Sequence, residues 1–339
     1  MKYIKSKQNA LLFIAALIFF AFKLTSSFAQ NKEIITVNNK DVQNALTYYD
    51  KEDYKTAKTL LDGIIVKDEK NADAHYALAA VLSKLKKIDD AIEENKRAIE
   101  LNSKNADYHY QMSMLHVIEV NTANIFSKLS IVGSIKDELI LALKADPNHR
   151  LAMINLTGFY IQVPSIAGGD NEKALELANK LMKIDEKQAR RFLVQIYLNL
   201  NNSAKAAEEI EYLIKIDEYS GRFLLIQGLK KKGDLVKAEE QYKIIESKFG
   251  NNTEYFAFFN DYGYFLLNQK RFDEAIEKFK KQVQLAPKSA NAHDSLGEGY
   301  FNKKMLKESL AEYTKALELN PDLKSAKDKI KEIKELMND

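Results

Sequence analysis

FNDYGYFLLNQKRFDEAIEKFKKQVQLAP at residues 259–287 and HDSLGEGYFNKKMLKESLAEYTKALELNP at 293–321 align without a gap at a step of 34 residues. Under that step Gly263 meets Gly297, Tyr262 meets Leu296, Leu266 meets Tyr300 and Phe259 meets His293. In the second half Ala275 meets Ser309, Phe279 meets Tyr313 and Pro287 meets Pro321. Within one copy Phe259, Tyr262 and Leu266 follow three- and four-residue steps, as do Ala275, Phe279 and Gln282, which is the period of a helix with one buried face. A short polar link at 268–271 separates the two runs, and Asp273 is placed to cap the second. The small residues Gly263, Gly297 and Ala275 fall where two helices must approach closely. Each copy thus predicts one helix pair.

The same step opens the chain. Ala45, Ala79 and Ser113 form one ladder, Asp41, His75 and His109 a second, and Tyr48, Leu82 and His116 a third. NADAH at 71–75, NADYH at 105–109 and SANAH at 289–293 read alike. A fixed period of this length means stacked units, none of which buries its apolar face alone. The series of a large apolar residue, Leu-Gly, an aromatic, Ala, Phe and Pro resembles the tetratricopeptide repeat. Tyr262-Gly263, Leu266, Ala275, Phe279 and Pro287 carry that resemblance, and Leu296-Gly297, Tyr300, Tyr313, Ala316 and Pro321 carry it again. It implies an all-α solenoid of stacked antiparallel helix pairs. Eight pairs are expected, near 38–67, 72–102, 106–146, 150–185, 189–217, 221–249, 254–286 and 290–320. An amphipathic helix at 322–337 follows as a C-terminal cap.

Two pairs, within 106–185, are irregular. The counterpart of Ala98 arrives at Ala142, so about ten residues are inserted around 117–134. At 163–170, VPSIAGGD lengthens the next link: Pro164 stops a helix, Gly168-Gly169 permits positive φ, and Asp170 can cap the helix that follows. This paired irregularity resembles a variant among exported bacterial tetratricopeptide proteins, including helical partners of periplasmic solute-uptake systems.

Composition agrees with a helical stack. Gly is 12 and Pro 4 in 339 residues, too few for the hairpin turns of an all-β fold. Cys is 0, which excludes disulfides, thiolate metal sites and cysteine nucleophiles. MKYIKSK followed by the apolar run Ala10–Phe22 and then Ser27-Phe28-Ala29 has the three-part build of a signal peptide spanning 1–29, cut before Gln30. A retained membrane anchor is the alternative, but a 13-residue apolar run reaches only ~20 Å against a hydrocarbon core of ~30 Å. Residues 30–37 are then a short tail, and the expected location is the periplasm or the outer face of a bacterial envelope. Four of the 51 Lys and Arg (Lys2, Lys5, Lys7 and Lys23) precede Gln30, leaving 47 against 48 acidic residues. That balance carries no bias toward nucleic acid, and Lys230-Lys231-Lys232 reads as a solvated link.

No phosphate loop, Gly-x-Ser-x-Gly or His-Glu-x-x-His is present. His75, His109 and His293 share one repeat slot and His116 takes the aromatic one, so registry accounts for them as packing residues better than a metal site does; His149 lies in a link. No catalytic, cofactor-binding or metal residues are therefore assigned, and Gly168-Gly169-Asp170 reads as turn and cap rather than anion site.

The family resemblance further implies that the first helix of each pair lines a concave groove, through residues one and five places after the large residue. These are Val42 and Leu46, Tyr76 and Ala80, Tyr110 and Met114, Ile154 and Gly158, Leu193 and Tyr197, then Asn260, Tyr264, Asp294 and Glu298. Tyr76, Tyr110, Met114, Ile154, Leu193 and Tyr197 are the candidate partner contacts, with the stack itself resting on Leu78, Ala79, Met112 and Ile196. The competing reading is that neighbouring first helices bury these slots against each other. The Lys/Asn clamp for a terminal carboxylate is absent from them. The function expected is a non-enzymatic exported scaffold or adaptor binding a protein or peptide. The alternative is a component of an envelope transport or uptake system, with its site near 117–134 and 163–170.

Overall fold

A computed structural model of the chain describes residues 35 and 37–338; the expected signal peptide and its cleavage point lie outside the described residues. Seventeen α-helices and two short 3-10 turns make up the described residues, with no strand. The chain divides into two compact units, Met1–Ile216 and Asp217–Asp339.

The first unit holds five helix pairs: α1 (Lys40–Asp50) with α2 (Tyr54–Lys67), α3 (Ala72–Lys84) with α4 (Ile88–Leu101), α5 (Ala106–Thr122) with α6 (Ile125–Ala145), α7 (Arg150–Gln162) with α8 (Asn171–Leu181), and α9 (Glu186–Asn199) with α10 (Ser203–Ile216). The second holds three: α11 (Glu218–Lys232) with α12 (Leu235–Phe249), α13 (Phe256–Leu267) with α14 (Phe272–Leu285), and α15 (Ala290–Asn302) with α16 (Leu306–Leu319), then α17 (Lys324–Asn338). Within the first unit every second helix also packs on the next first helix, so each pair is covered by its successor.

Local chemistry sets the helix ends. Asn39, Asn71, Asn105, Asp185, Asp217 and Ser289 each accept a backbone N–H from the first turn of the helix they precede. Between the two helices of a pair the turn needs one left-handed residue. Glu52, Lys86, Asn201, Lys270 and Lys304 supply it with φ of 57–63°, and glycines do so at Gly168 and Gly233. Backbone hydrogen bonds hold these exposed non-glycine residues in a region that costs about 1 kcal/mol or more each: the next amide reaches the carbonyl five positions back, as Asp53 does to Tyr48 and Lys87 to Leu82, which is how a chain with 12 glycines makes so many turns. Asp273 does not cap α14; Arg271 holds the cap position without a side-chain bond, and Asp273 sits in the first turn, where its charge still favours the helix dipole.

Close approach explains the paired glycines. A Cβ at Gly263 would stand 2.3 Å from the Phe279 ring, and one at Gly297 3.0 Å from Tyr313. In the second unit Tyr242 stacks on Tyr262 with centroids 4.4 Å apart, filling the space between α12 and α13. The Tyr242 hydroxyl bonds Asp261, which also takes Lys230 Nζ at 3.2 Å. Lys230 is therefore no solvated link: it belongs to the last turn of α11 and is tied to α13.

The irregular pairs fit together. Helices α5 and α6 are lengthened to 17 and 21 residues and absorb the insertion as extra helical turns. Ile131, Val132, Ile135 and Leu139 of α6 then share one buried cluster with Val163, Phe159 and Tyr160 at the end of α7. The 163–170 link, a 3-10 turn at Ser165–Ala167, rests on α6, with a Cβ at Gly168 placed 3.7 Å from the Lys136 side chain. Gly168 has φ 102°. Gly169 is needed for space, since a Cβ there would fall 1.6 Å from the Val163 carbonyl oxygen. Asp170 caps α8 by accepting from the Glu172 and Lys173 amides.

Candidate inner-face site

The first helices carry the predicted contact residues, and the first unit treats them in two ways. In its first two pairs the inner slots are sealed: Val42, Leu46, Tyr76 and Ala80 are buried. The Tyr76 ring lies 4.8 Å from that of Tyr108, whose hydroxyl donates to Asp73 Oδ1 at 2.6 Å. Burial and that hydrogen bond push the Tyr108 hydroxyl well above its ordinary value. Tyr76, at 3% exposure, offers no surface to a partner, and neither does Leu193 at 2%. For these two the inward slot is a helix–helix seam, because the neighbouring helix brings a large ring or aliphatic chain against it.

Tyr110, Met114, Ile154 and Tyr197 stay half-exposed. The difference lies in what α7 offers to α5. Asn155 donates to the Tyr110 hydroxyl at 3.2 Å and to Met114 Sδ at 3.5 Å. A compact amide satisfies the polar ends of both residues and leaves their apolar surfaces open. His149 completes the arrangement: its ring lies 5.2 Å from Tyr110, it caps α7 through Nδ1, and its Nε2 reaches Asp107. The second inner slot of α7 is Gly158, which has no side chain and faces Gln162 and Phe192 of α9. Tyr110 and Tyr197 pack on the same buried cluster, and Lys205 Nζ stands 5.3 Å from the Tyr197 ring. Ile154 packs instead with Met153, Leu181 and Ala189. Asn155 and His149 were not among the sequence-predicted contacts; their signal was only that polar residues replace the alanine-rich packing of α3.

The corresponding face of the second unit is polar. Asn260 Oδ1 accepts from Ser295, Asp294 from Ser325 of α17, and Glu298 from the Tyr313 hydroxyl at 2.8 Å. Burial holds the Asp294 carboxyl above its ordinary value, and the nearby Glu298 adds to it. The second units' slots thus differ in chemistry from those around Tyr110.

Between the third and fourth pairs a depression of about 580 Å³ opens among Leu143, Pro147, Met153, Leu177, Lys183 and Ile184; no predicted contact residue lines it. Among the described residues no three His, Asp or Glu side chains converge as a metal site. None of the helices among them is long and apolar enough to cross a membrane. The buried histidines are more than packing residues: His75, His109 and His293 each hold a glutamate at 2.6–2.7 Å.

Family models described as tetratricopeptide repeat match residues 48–115, 257–289 and 290–323. The chain therefore carries tetratricopeptide repeats at both ends of its described length. Among solved structures it is similar to yeast Tom70, with a TM-score of 0.65 and 16% identity over 98% of this chain and 71% of that one. A tetratricopeptide repeat protein from Parabacteroides merdae is similar with a TM-score of 0.50 and 14% identity, over 86% of this chain and 96% of that one. At such identity the likeness is one of fold. None of the curated proteins matches the sequence.

Proposed function

We propose that the chain is an exported, non-enzymatic scaffold that holds a protein or peptide partner against the inner face of its third to fifth helix pairs. The carrying observation is the contrast along one surface: equivalent slots are sealed in the first two pairs and open at Tyr110, Met114, Ile154 and Tyr197. Partly exposed tyrosine and methionine suit a partner helix or extended segment, since they present large adaptable contact area at low entropic cost. The tetratricopeptide repeats support the reading as a scaffold for protein–protein contact.

The test is a pull-down from the envelope of the producing cells, comparing the wild type with a Y110A/M114A/Y197A variant. Loss of an anchoring tyrosine typically removes ~2 kcal/mol, or about thirtyfold in affinity, so a partner retained by the wild type should be lost from the variant at unchanged helix content. Equal retention defeats the proposal. N-terminal sequencing of the exported protein should begin at Gln30, and an intact Met1 would defeat cleavage.

One observation favours a second reading, in which the chain serves an envelope transport or uptake system through its irregular pairs. Ile166 stands 82% exposed at the tip of the 163–170 link, on a backbone closed by hydrogen bonds from the Ala167 and Gly169 amides to the Pro164 carbonyl. An aliphatic side chain so presented is a contact point for another surface. I166D would abolish partner retention under this reading and leave it intact under the first.

A further inference from the structure

The same hydrogen-bond pattern surrounds three of the five histidines. His75 Nδ1 lies 2.6 Å from Glu94 Oε2 on α4, and its Nε2 lies 3.1 Å from the Glu69 carbonyl in the turn before α3. His109 Nδ1 lies 2.7 Å from Glu138 Oε2 on α6, and its Nε2 lies 3.1 Å from the Ser103 carbonyl before α5. His293 Nδ1 lies 2.6 Å from Glu312 Oε2 on α16, and its Nε2 lies 3.1 Å from the Pro287 carbonyl before α15. The carbonyl is six residues upstream in all three. The glutamate is 19 residues downstream of His75 and His293 and 29 downstream of His109, the difference being the ten-residue insertion. All three rings are buried.

An ionised carboxylate and a backbone carbonyl have no proton to give. Both ring nitrogens must then donate, and only the imidazolium form has two N–H groups. His149 makes the opposite case within the same molecule: its Nδ1 accepts from the Ala152 amide at 3.0 Å and so is bare, leaving Nε2 to donate to Asp107.

We propose that His109 is carried as an imidazolium ion that latches α5 to α6 and to the turn before it, the geometry that His75 and His293 repeat, and that the His109 latch opens as pH rises. Loss of one proton leaves a bare nitrogen facing an oxygen and strips a part-buried glutamate of its counter-ion, so one of the two bonds must break. The groups facing the rings are Glu94, Glu138 and Glu312 from the partner helices and the three turn carbonyls. The hydrogen bond that His109 donates to Glu138 holds its ring above its ordinary value, against the opposing effect of burial. With the folded value raised, the latch contributes fully below the unfolded value of ~6.5 and is lost as pH climbs through the folded one.

The test is ring nitrogen NMR on the 15N-labelled wild-type chain, joined to unfolding measured from pH 6 to 9. At pH 7 the His109 ring should show two protonated nitrogens. The unfolded-to-folded ratio of the first unit should rise by up to about tenfold per pH unit, and the E138Q variant should flatten that slope. A bare nitrogen on His109 at pH 7, or a slope unchanged by E138Q, overturns the proposal.

Discussion

Replacing Gly263 with Ala should destabilise the second unit, although helix propensity alone predicts the reverse. The added Cβ would stand 2.3, 2.7 and 2.8 Å from three atoms of the Phe279 ring, where unstrained carbon contacts fall near ~3.5–4.0 Å. The ring would have to retreat by about an ångström. It has nowhere to go, because Phe279 is fully buried and its far edge lies against Gly299, whose own Cβ would meet it at 2.9 Å. Overpacking of this severity costs about 3 kcal/mol, against a gain of about 1 kcal/mol from Ala over Gly in a helix interior. The net loss is about 2 kcal/mol, or roughly 6–12 °C in Tm for a unit of this size. Urea unfolding should show a lower midpoint at constant slope. Gly228 of α11 supplies the control: nothing lies within 4 Å of its would-be Cβ, so G228A should raise the midpoint, through a stability gain of up to about 1 kcal/mol. F279L should relieve the clash, making the G263A/F279L pair more stable than the sum of its single losses by about 1 kcal/mol. A G263A chain as stable as the wild type, or strict additivity in the pair, refutes the reasoning.

Tyr76 and Tyr110 occupy one slot 34 residues apart, yet Y76A should cost about 3 kcal/mol of stability and Y110A under about 1, because only the first is sealed against a neighbouring ring; equal losses in thermal unfolding would contradict the burial contrast. Glu239 is held down at about 2 by its hydrogen bonds with Arg271, with Lys243 adding to them. With the folded value depressed, its contribution is present above 4.5 and lost as pH falls toward 2, so acid titration of E239Q should show a shallower decline over that window, and an identical curve would refute this. Removing α17 uncovers Tyr313 and Ala316, which pack with its Ala326 and Ile333; a lower Tm and aggregation are expected, and a truncated chain that melts unchanged would show that the helix does not act as a cap.

The repeat itself was legible because its constraints are local or strictly periodic. Helical spacing and glycine or alanine at close approaches recur at a countable step, and each acts through neighbours a few residues or one period away. The ten-residue insertion was legible for the same reason, as a break in that count, and so was the cap at Asp170. What stayed hidden depends on who lies opposite. Tyr76, Tyr110, Leu193 and Tyr197 read alike as large residues on an inner face, and only packing separates them: Tyr108 closes over Tyr76, whereas Asn155 bonds the ends of Tyr110 and Met114 and leaves them open. Registry likewise placed His75, His109 and His293 in one slot but could not reveal the glutamate and the carbonyl that meet each ring. A one-dimensional period determines which residues are equivalent. Whether an equivalent residue is sealed, exposed or charged is decided by the side chains of adjacent helices, whose size and hydrogen-bonding capacity vary freely within the same period.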